Sequence, residues 1–330
     1  MKRQAWGVRL GVKVRRSRFL TYCCLLVALV GCARPPASEP ESEGRSAVSS
    51  PAAELPEPIP AECRAGEEVP EVIRFGVTPY FGYSVIEEQF GPIVEYLAEK
   101  TGHPFKLVRA ESYARLIEMV ENHEVDIFSM SPLSYILARE KIPCLQLMLS
   151  QFAGGSVYYR GYIVVRGESP YESLEDLKGT PIAMLNEKST SGYLFPRAYM
   201  MERGFDVDRD FKVVEAPNHT EAIKLLVEDK TVEAAATFSA VFQPLRERGI
   251  DAGNVRVLAI TGRIPHDAVC AQPYLARGLV VDVARHLYRL NSTTEEGRRI
   301  IRNLIDLNGW LYTRDSMYDP VRAARKRLGQ

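Results

Sequence analysis

The chain has 330 residues, which is enough for two domains of ordinary size at about 100 to 200 residues each. Hydrophobic residues make up 46% and charged residues 25%, a balance that excludes a collagen, a coiled coil or a wholly disordered chain. The formal net charge is zero, and because residues 1–31 hold seven Lys and Arg with no acid, the rest is mildly acidic. The charge therefore gives no support for nucleic-acid binding.

Residues 1–31 have the features of a lipoprotein signal peptide. A basic stretch precedes an apolar run from Phe19 to Val30, which has signal-peptide length and is too short to span a bilayer comfortably. The run leads into Leu29-Val30-Gly31-Cys32, which resembles a bacterial lipobox. We therefore predict cleavage before Cys32, acylation of its sulfur, and a lipid-anchored protein on the extracytoplasmic face of the cell envelope. The alternative is an ordinary secretory signal that is cut nearby.

Residues 32–71 are predicted to be a disordered tether. They are rich in Pro, Ser, Ala and Glu and almost lack large apolar side chains, so they cannot build a core. Without them, residues 72–330 carry 32 basic and 33 acidic side chains. A charged ligand must therefore be held by local geometry, since the overall field is weak.

Three cysteines remain in the predicted exported chain, namely Cys63, Cys144 and Cys270. The compartment is oxidising, but three cysteines cannot all pair, and the sequence leaves open whether any disulfide forms. No C-x-x-C motif and no Cys/His cluster occurs, so we expect no metal site.

The remaining chain predicts an α/β protein with two lobes. Strand and helix patterns alternate in residues 72–158, and the same alternation returns in residues 159–262, including a short helix at 173–177. Such alternation is typical of parallel sheets with crossover helices. Residues 263–330 are predicted to cross back to the first lobe and to be mostly helical. Two crossings place a ligand cleft between the lobes, as in a clamshell.

The segment Lys188-Ser189-Thr190-Ser191-Gly192 is predicted to form an oxyanion cradle. It stands directly before a predicted helix, where unpaired backbone N–H groups, the positive end of the helix dipole and several hydroxyl groups coincide. The alternative is simple N-capping, for which one Ser or Thr suffices. Ser131 and Ser134 begin a helix in the first lobe in the same way, so one anion could be gripped from both sides.

Three further residues are candidates for contact with a ligand. His219 opens a predicted helix and can donate to an anion, and Asp267 lies on the return crossing, where it can accept a proton from a monoprotonated ligand or meet an amine. Tyr80 follows the first strand and is placed to wall the cleft. Each could instead be a cap, a surface residue or a packing residue. No G-x-S-x-G turn, Walker A loop, H-E-x-x-H or cofactor fingerprint occurs, so we predict binding without catalysis or a cofactor.

Several motifs in this order resemble one family. They are Ile73-Arg74-Phe75-Gly76-Val77-Thr78-Pro79, Ser131-Pro132-Leu133-Ser134-Tyr135, Tyr159-Arg160-Gly161-Tyr162, Leu174-Glu175-Asp176-Leu177-Lys178-Gly179, Ser189-Thr190-Ser191-Gly192-Tyr193-Leu194-Phe195-Pro196, Val232-Glu233-Ala234-Ala235-Ala236 and Ile264-Pro265-His266-Asp267. Over most of residues 72–290 the chain is similar to the phosphate/phosphite/phosphonate-binding proteins of ABC importers, which are type II periplasmic binding proteins.

The resemblance implies a set of ligand contacts. Oxyanion contacts are implied from three groups of residues, namely Ser189, Thr190 and Ser191 of the cradle, the downstream His219, and Ser131 and Ser134 of the facing turn. The resemblance also implies that Tyr80 walls the cleft and that Asp267 is a polar acceptor. Two positions depart from the family pattern. Ser131 stands where the family often has Gly, and Phe238-Ser239 stands where it often has an acid, which makes an aminoalkylphosphonate a poorer ligand.

The sequence therefore predicts the monomeric solute-binding lipoprotein of an ABC importer, which delivers a phosphonate, phosphite or phosphate to a permease and ATPase complex. The alternative is an extracytoplasmic sensor that passes its closed state to a membrane signalling partner. The motifs do not distinguish the oxyanions from one another, because one hydroxyl or methyl group in a cleft alters selectivity without altering a motif.

Overall fold

The computed structural model describes residues 55–64, 66–304 and 306–330, all of which belong to one compact unit. The predicted signal peptide, Cys32 and the first part of the tether lie outside these residues. Within the described part of the chain, no helix combines the length and the hydropathy needed to cross a bilayer.

The first lobe is built on a six-stranded sheet with the order β11-β4-β10-β3-β1-β2. Its strands are β1 (Ile73–Val77), β2 (Phe105–Val108), β3 (Ile127–Met130), β4 (Gln146–Ala153), β10 (Ala268–Ala271) and β11 (Leu307–Tyr312). Its helices are α1 (Tyr83–Thr101), α2 (Tyr113–Glu121), α3 (Pro132–Lys141), α8 (Arg277–Arg289) and α9 (Glu295–Ile300). Strand β1 pairs in parallel with β2 and β3, while β10 runs antiparallel to β3 and β4.

The second lobe is built on a five-stranded sheet with the order β7-β6-β8-β5-β9. Its strands are β5 (Tyr158–Arg166), β6 (Pro181–Leu185), β7 (Lys212–Ala216), β8 (Ala234–Phe238) and β9 (Val255–Pro265). Its helices are α4 (Phe195–Met201), preceded by the π-helical turn Thr190–Leu194, α5 (Val207–Asp210), α6 (His219–Val227) and α7 (Phe242–Glu247). The central strands are buried on both faces, as parallel pairing with helices on both sides requires.

Two short segments connect the lobes, one between β4 and β5 and one between β9 and β10. Strands β5 and β9 are antiparallel neighbours over nearly their full length, so the two connections lie side by side. A continuous apolar core joins the lobes next to the cleft, where Leu194 and Phe195 of the second lobe pack with Leu133 of the first. The last helix, α10 (Asp319–Arg327), contributes Val321 to the same core.

One predicted helix in the folded part is wrong, and one strand interrupts the stretch predicted to be mostly helical. Residues 173–177 form consecutive tight turns, with Leu177 N donating to Leu174 O at 3.2 Å, because Gly179 at a φ of 76° ends the segment after one turn. Residues 307–312 lie in the stretch predicted to be mostly helical, and they form the edge strand β11 beside β4. Gly309 at a φ of 145° cannot belong to a helix, and Trp310 is buried in the core of the first lobe.

The end of the predicted tether is ordered, which corrects the expectation of disorder for residues 55–64 and 66–71. Cys63 forms a disulfide with Cys144, two residues before β4, while Cys270 is free and buried. Arg277 donates to the carbonyl oxygens of Pro56 and Glu57 at 3.1 and 2.9 Å. Backbone pairing and a cross-link hold this segment on the first lobe although it has almost no apolar side chains of its own.

Candidate functional site

The cleft between the lobes contains a cavity of about 100 Å³. Its wall includes seven of the eight ligand-contact residues expected from the sequence: Tyr80, Ser131, Ser189, Thr190, Ser191, His219 and Asp267. Both lobes contribute to the cavity, since Tyr80 and Ser131 belong to the first lobe and the next four residues to the second. Asp267 lies on the connection between β9 and β10. The residues are far apart in the sequence, so the fold brings them together.

The cradle lies between the end of β6 and the beginning of the helical run that continues into α4. Ser189 is the N-cap residue, and its hydroxyl accepts a hydrogen bond from Gly192 N at 3.1 Å. A Cβ atom on Gly192 would lie 2.7 Å from Cβ of Leu185, so only glycine allows the turn to pack this closely against β6. The segment is thus a helix cap, and its side chains also line the cavity.

Helix α3 begins opposite the cradle. Ser131 is its N-cap residue, and Leu133 N donates to Oγ1 of Thr190 at 2.9 Å. Ser134 is not part of the cavity wall. Its hydroxyl donates to the carbonyl oxygen of Lys188 at 3.4 Å and accepts from Ser131 at 2.9 Å. The two helix beginnings therefore face each other and are joined by hydrogen bonds across the cleft.

His219 begins α6 and is buried below the cradle. Its Nε2 atom lies 3.4 Å from Oγ of Ser191, and its Nδ1 atom lies 3.2 Å from Oγ1 of Thr237. Burial lowers the pKa of His219 to about 3, so the imidazole is neutral at physiological pH. The ring of Phe238 stands edge-on to the imidazole at 4.8 Å. His219 therefore offers a positioned hydrogen bond without a full charge.

Two tyrosines support the cradle serines, and the sequence analysis had assigned neither to the site. Tyr113 lies close to Ser189, and Tyr159 lies close to Ser191, in the cavity wall. Burial is the main cause that raises the pKa of both phenols, so both remain protonated. Tyr159 belongs to a motif quoted above, whereas the only signal for Tyr113 was its place at the beginning of α2.

Asp267 is the carboxylate in the cavity wall. Burial raises the pKa of Asp267 to about 7, and no hydrogen bond to its carboxylate occurs within the described residues. Burial also lowers the pKa of the neighbouring His266 to about 4. Gln151, another residue that the sequence analysis missed, lines the same wall.

The cavity wall contains no Lys or Arg among the described residues. Positive potential comes instead from the N-termini of two helical segments that begin at Ser131 and Ser189. Helix N-termini with hydroxyl donors are suited to oxyanions, because their unpaired N–H groups point toward the ligand. Among the described residues, no group of three or more His, Cys, Asp or Glu side chains is arranged to hold a metal ion.

Known proteins resemble the chain in fold and in part of its sequence. It is 28% identical over 142 residues to the phosphate-import protein PhnD of Mycolicibacterium smegmatis, covering 42% of this chain and 44% of that protein. It is also 28% identical over 174 residues to the phosphonates-binding periplasmic protein of Escherichia coli, covering 51% of each. The chain thus spans about half the length of the curated relatives it matches.

Two solved structures have the same fold. PhnD1 from Prochlorococcus marinus, in complex with methylphosphonate, superposes with a TM-score of 0.72 at 17% identity, over 79% of this chain and 99% of that one. A binding protein component of an ABC phosphonate transporter from Pseudomonas aeruginosa gives 0.71 at 19% identity, over 77% and 85%. These likenesses confirm the predicted two-lobed α/β clamshell. The family model for the periplasmic substrate-binding proteins of phosphonate ABC transporters matches residues 75–318, and the chain therefore belongs to this family.

Proposed function

We propose that this chain is the binding protein of an ABC importer and that it carries a small phosphorus oxyanion between its lobes. The observation that carries the proposal is the cradle, in which hydroxyl groups of Ser189, Thr190 and Ser191, a neutral His219 and the facing Ser131 surround one cavity. Relatives named for phosphate import and for phosphonate binding support the choice of ligand. The ligand class comprises phosphonate, phosphite and phosphate.

The binding mechanism follows from the contacts across the cleft. The ligand would enter between open lobes, and closure by hinge motion at the two connections would bring α3 against the cradle. In the closed arrangement His219 N donates to Tyr80 O at 3.2 Å, and Arg248 Nη2 lies 2.7 Å from Glu88 Oε2. A ligand that contacts both lobes favours this arrangement, because it binds the closed form better than the open form. The closed form is the one that the permease would recognise.

The size of the cavity supports a ligand with few heavy atoms. An apolar cavity of about 150 Å³ accommodates benzene, which has six heavy atoms. The cavity of about 100 Å³ is smaller, so it suits phosphate, phosphite or methylphosphonate better than a longer chain. We infer binding without turnover. Ser191 lies 3.4 Å from Nε2 of His219, but burial lowers the pKa of this imidazole to about 3, which makes it too weak a base to activate the hydroxyl group, and its Nδ1 atom faces the hydroxyl group of Thr237 and not a carboxylate.

Isothermal titration calorimetry with a ligand panel tests the proposal. The exported domain, residues 55–330, is titrated with phosphate, phosphite, methylphosphonate, aminoethylphosphonate and sulfate. We expect at least one phosphorus oxyanion to bind at micromolar concentration or tighter and to bind better than sulfate. Absence of binding for every phosphorus compound contradicts the proposal.

We also propose that Cys32 carries a lipid anchor and that the protein acts as a monomer on the outer side of a membrane. The lipobox and the Pro- and Glu-rich tether support this arrangement. The full-length chain and a Cys32→Ser variant are expressed in a bacterial host and fractionated. The variant should become soluble and lose the lipid mass, and an equal distribution of both proteins contradicts the anchor.

A further inference from the structure

Gln151 carries a buried polar atom that has no hydrogen-bond partner among the residues that the structure describes. The residue lies on β4, and its side chain points to the same face as Ala153, so both line the cavity. The carboxamide nitrogen is buried and makes no hydrogen bond within the described residues. A buried donor without a partner is costly, so such a group beside a ligand cavity points to a ligand atom that accepts from it.

Asp267 stands next to Gln151 and has the opposite hydrogen-bonding character. Gln151 N donates to Asp267 O at 3.1 Å, so the two side chains leave neighbouring backbone positions. The Asp267 carboxylate also lines the cavity, and within the described residues it accepts no hydrogen bond. One wall of the cavity therefore presents an unpaired donor beside an unpaired acceptor.

We propose that Gln151 and Asp267 form a subsite for a hydroxyl group of the bound anion. This inference rests on the proposed function and adds the chemical group that the ligand presents to this wall of the cavity. A hydroxyl group accepts one hydrogen bond and donates another, so it satisfies the carboxamide nitrogen and the carboxylate together.

Other ligand groups satisfy the pair less well. An ammonium group has three donors and no acceptor, so it can pair with Asp267 but turns a donor toward the Gln151 nitrogen. A methyl group leaves both side chains unpaired. A site built to bond a hydroxyl group discriminates strongly against an analogue that lacks it, because its own buried groups then lose their partner. Phe238 stands nearby in the wall and offers no second acceptor for a cation.

The hydroxyl group could belong to a carbon of the ligand's tail or to the phosphorus of a monoprotonated anion. The titratable groups facing Asp267 are His219, His266 and four tyrosines, namely Tyr80, Tyr113, Tyr159 and Tyr318. Burial keeps both imidazoles neutral and all four phenols protonated. Near neutral pH, proton uptake at this wall therefore involves only Asp267 and the ligand itself.

Three phosphonates of nearly equal shape test the subsite: hydroxymethylphosphonate, aminomethylphosphonate and ethylphosphonate. Calorimetry compares them on the exported domain at a pH above and a pH below the second ionisation of the ligands. If the hydroxyl group is carried by carbon, hydroxymethylphosphonate binds about tenfold or more tighter than ethylphosphonate at both pH values. If it is carried by phosphorus, the two bind alike and both weaken by a similar factor at the higher pH.

Variants assign the effect to the pair. Gln151→Leu should abolish whichever effect the wild type shows, the preference for hydroxymethylphosphonate or the weaker binding at the higher pH. Gln243→Leu, which changes an exposed glutamine of α7, should preserve that effect. Gln151→Glu supplies acceptors only and should shift preference toward aminomethylphosphonate. The inference is overturned if aminomethylphosphonate binds the wild type most tightly, or if the wild type shows neither the preference for hydroxymethylphosphonate nor the weaker binding at the higher pH. It is also overturned if Gln151→Leu keeps the effect that the wild type shows. Loss of all phosphonate binding, by comparison, would refute the proposed function itself.

Discussion

Thr190→Val is the substitution that probes the cradle most directly. Valine keeps the shape of the side chain but removes the hydroxyl group. In the closed structure that hydroxyl accepts from Leu133 N at 2.9 Å across the cleft, and it still has a proton to donate to an anion in the cavity. The change therefore removes a contact between the lobes and a contact to the ligand together.

The expected loss can be worked out from these two contacts. A hydrogen bond to a charged group contributes about 1.5 to 3 kcal/mol, which alone weakens binding by about tenfold or more. The Leu133 amide would remain unpaired in the closed form, at a cost of about 1 to 3 kcal/mol, and this lowers affinity by at least about a further fivefold. Methylphosphonate affinity, measured by calorimetry, is the readout.

Two variants control for general damage. Thr190→Ser keeps the hydroxyl group and should retain most of the affinity. Thr180→Val removes a hydroxyl that donates to Leu177 O at 2.7 Å, away from the cavity, and should leave the affinity unchanged. If Thr190→Val binds methylphosphonate as tightly as the wild type, the hydroxyl group is only part of a helix cap and the reasoning is refuted.

Three further outcomes are expected. Affinity should change little with ionic strength, because the described cavity wall has no Lys or Arg, and a steep salt dependence in calorimetry would contradict this. Burial raises the pKa of Asp267 from 3.8 to about 7, so the free energy of unfolding falls as pH rises between these values. The stability of Asp267→Asn relative to the wild type, measured by denaturant unfolding, should therefore increase with pH across that range. Free energies of unfolding that change equally with pH in both proteins would contradict this. Reducing the Cys63–Cys144 disulfide should lower stability by about 2 to 4 kcal/mol without changing ligand affinity, and a loss of affinity would mean that the N-terminal segment shapes the cleft.

The cradle was predictable because its signals are local. A Ser/Thr run with a glycine directly before a helix is recognisable in the sequence, and Ser189 and Gly192 occupy the expected cap positions. The alternation of strands and helices likewise predicted both sheets. Ser134 shows the limit of such reasoning, since a hydroxyl one turn into a helix can face the cavity or the opposite lobe, and only the packing of the lobes decides.

Other features depend on contacts between distant segments. Gln151 and Asp267 are more than a hundred residues apart in the sequence, and only the pairing of neighbouring backbone segments brings their side chains to one wall. Strand β4 carries three polar residues, Gln146, Ser150 and Gln151, and nothing in the sequence distinguishes Gln151 as the one that lines the cavity. The disulfide between Cys63 and Cys144 was not predictable either, because spacing alone does not determine which two of three cysteines meet.

A crystal structure with bound methylphosphonate tests the central claim most directly. The account predicts density for the ligand between the lobes, with the phosphonate oxygens bonded to the hydroxyl groups of Ser189, Thr190 and Ser191 and to His219. The methyl group should point toward Phe238. A phosphonate group bound outside this cavity, or bound at Gln151 and Asp267 with the cradle empty, would contradict the account.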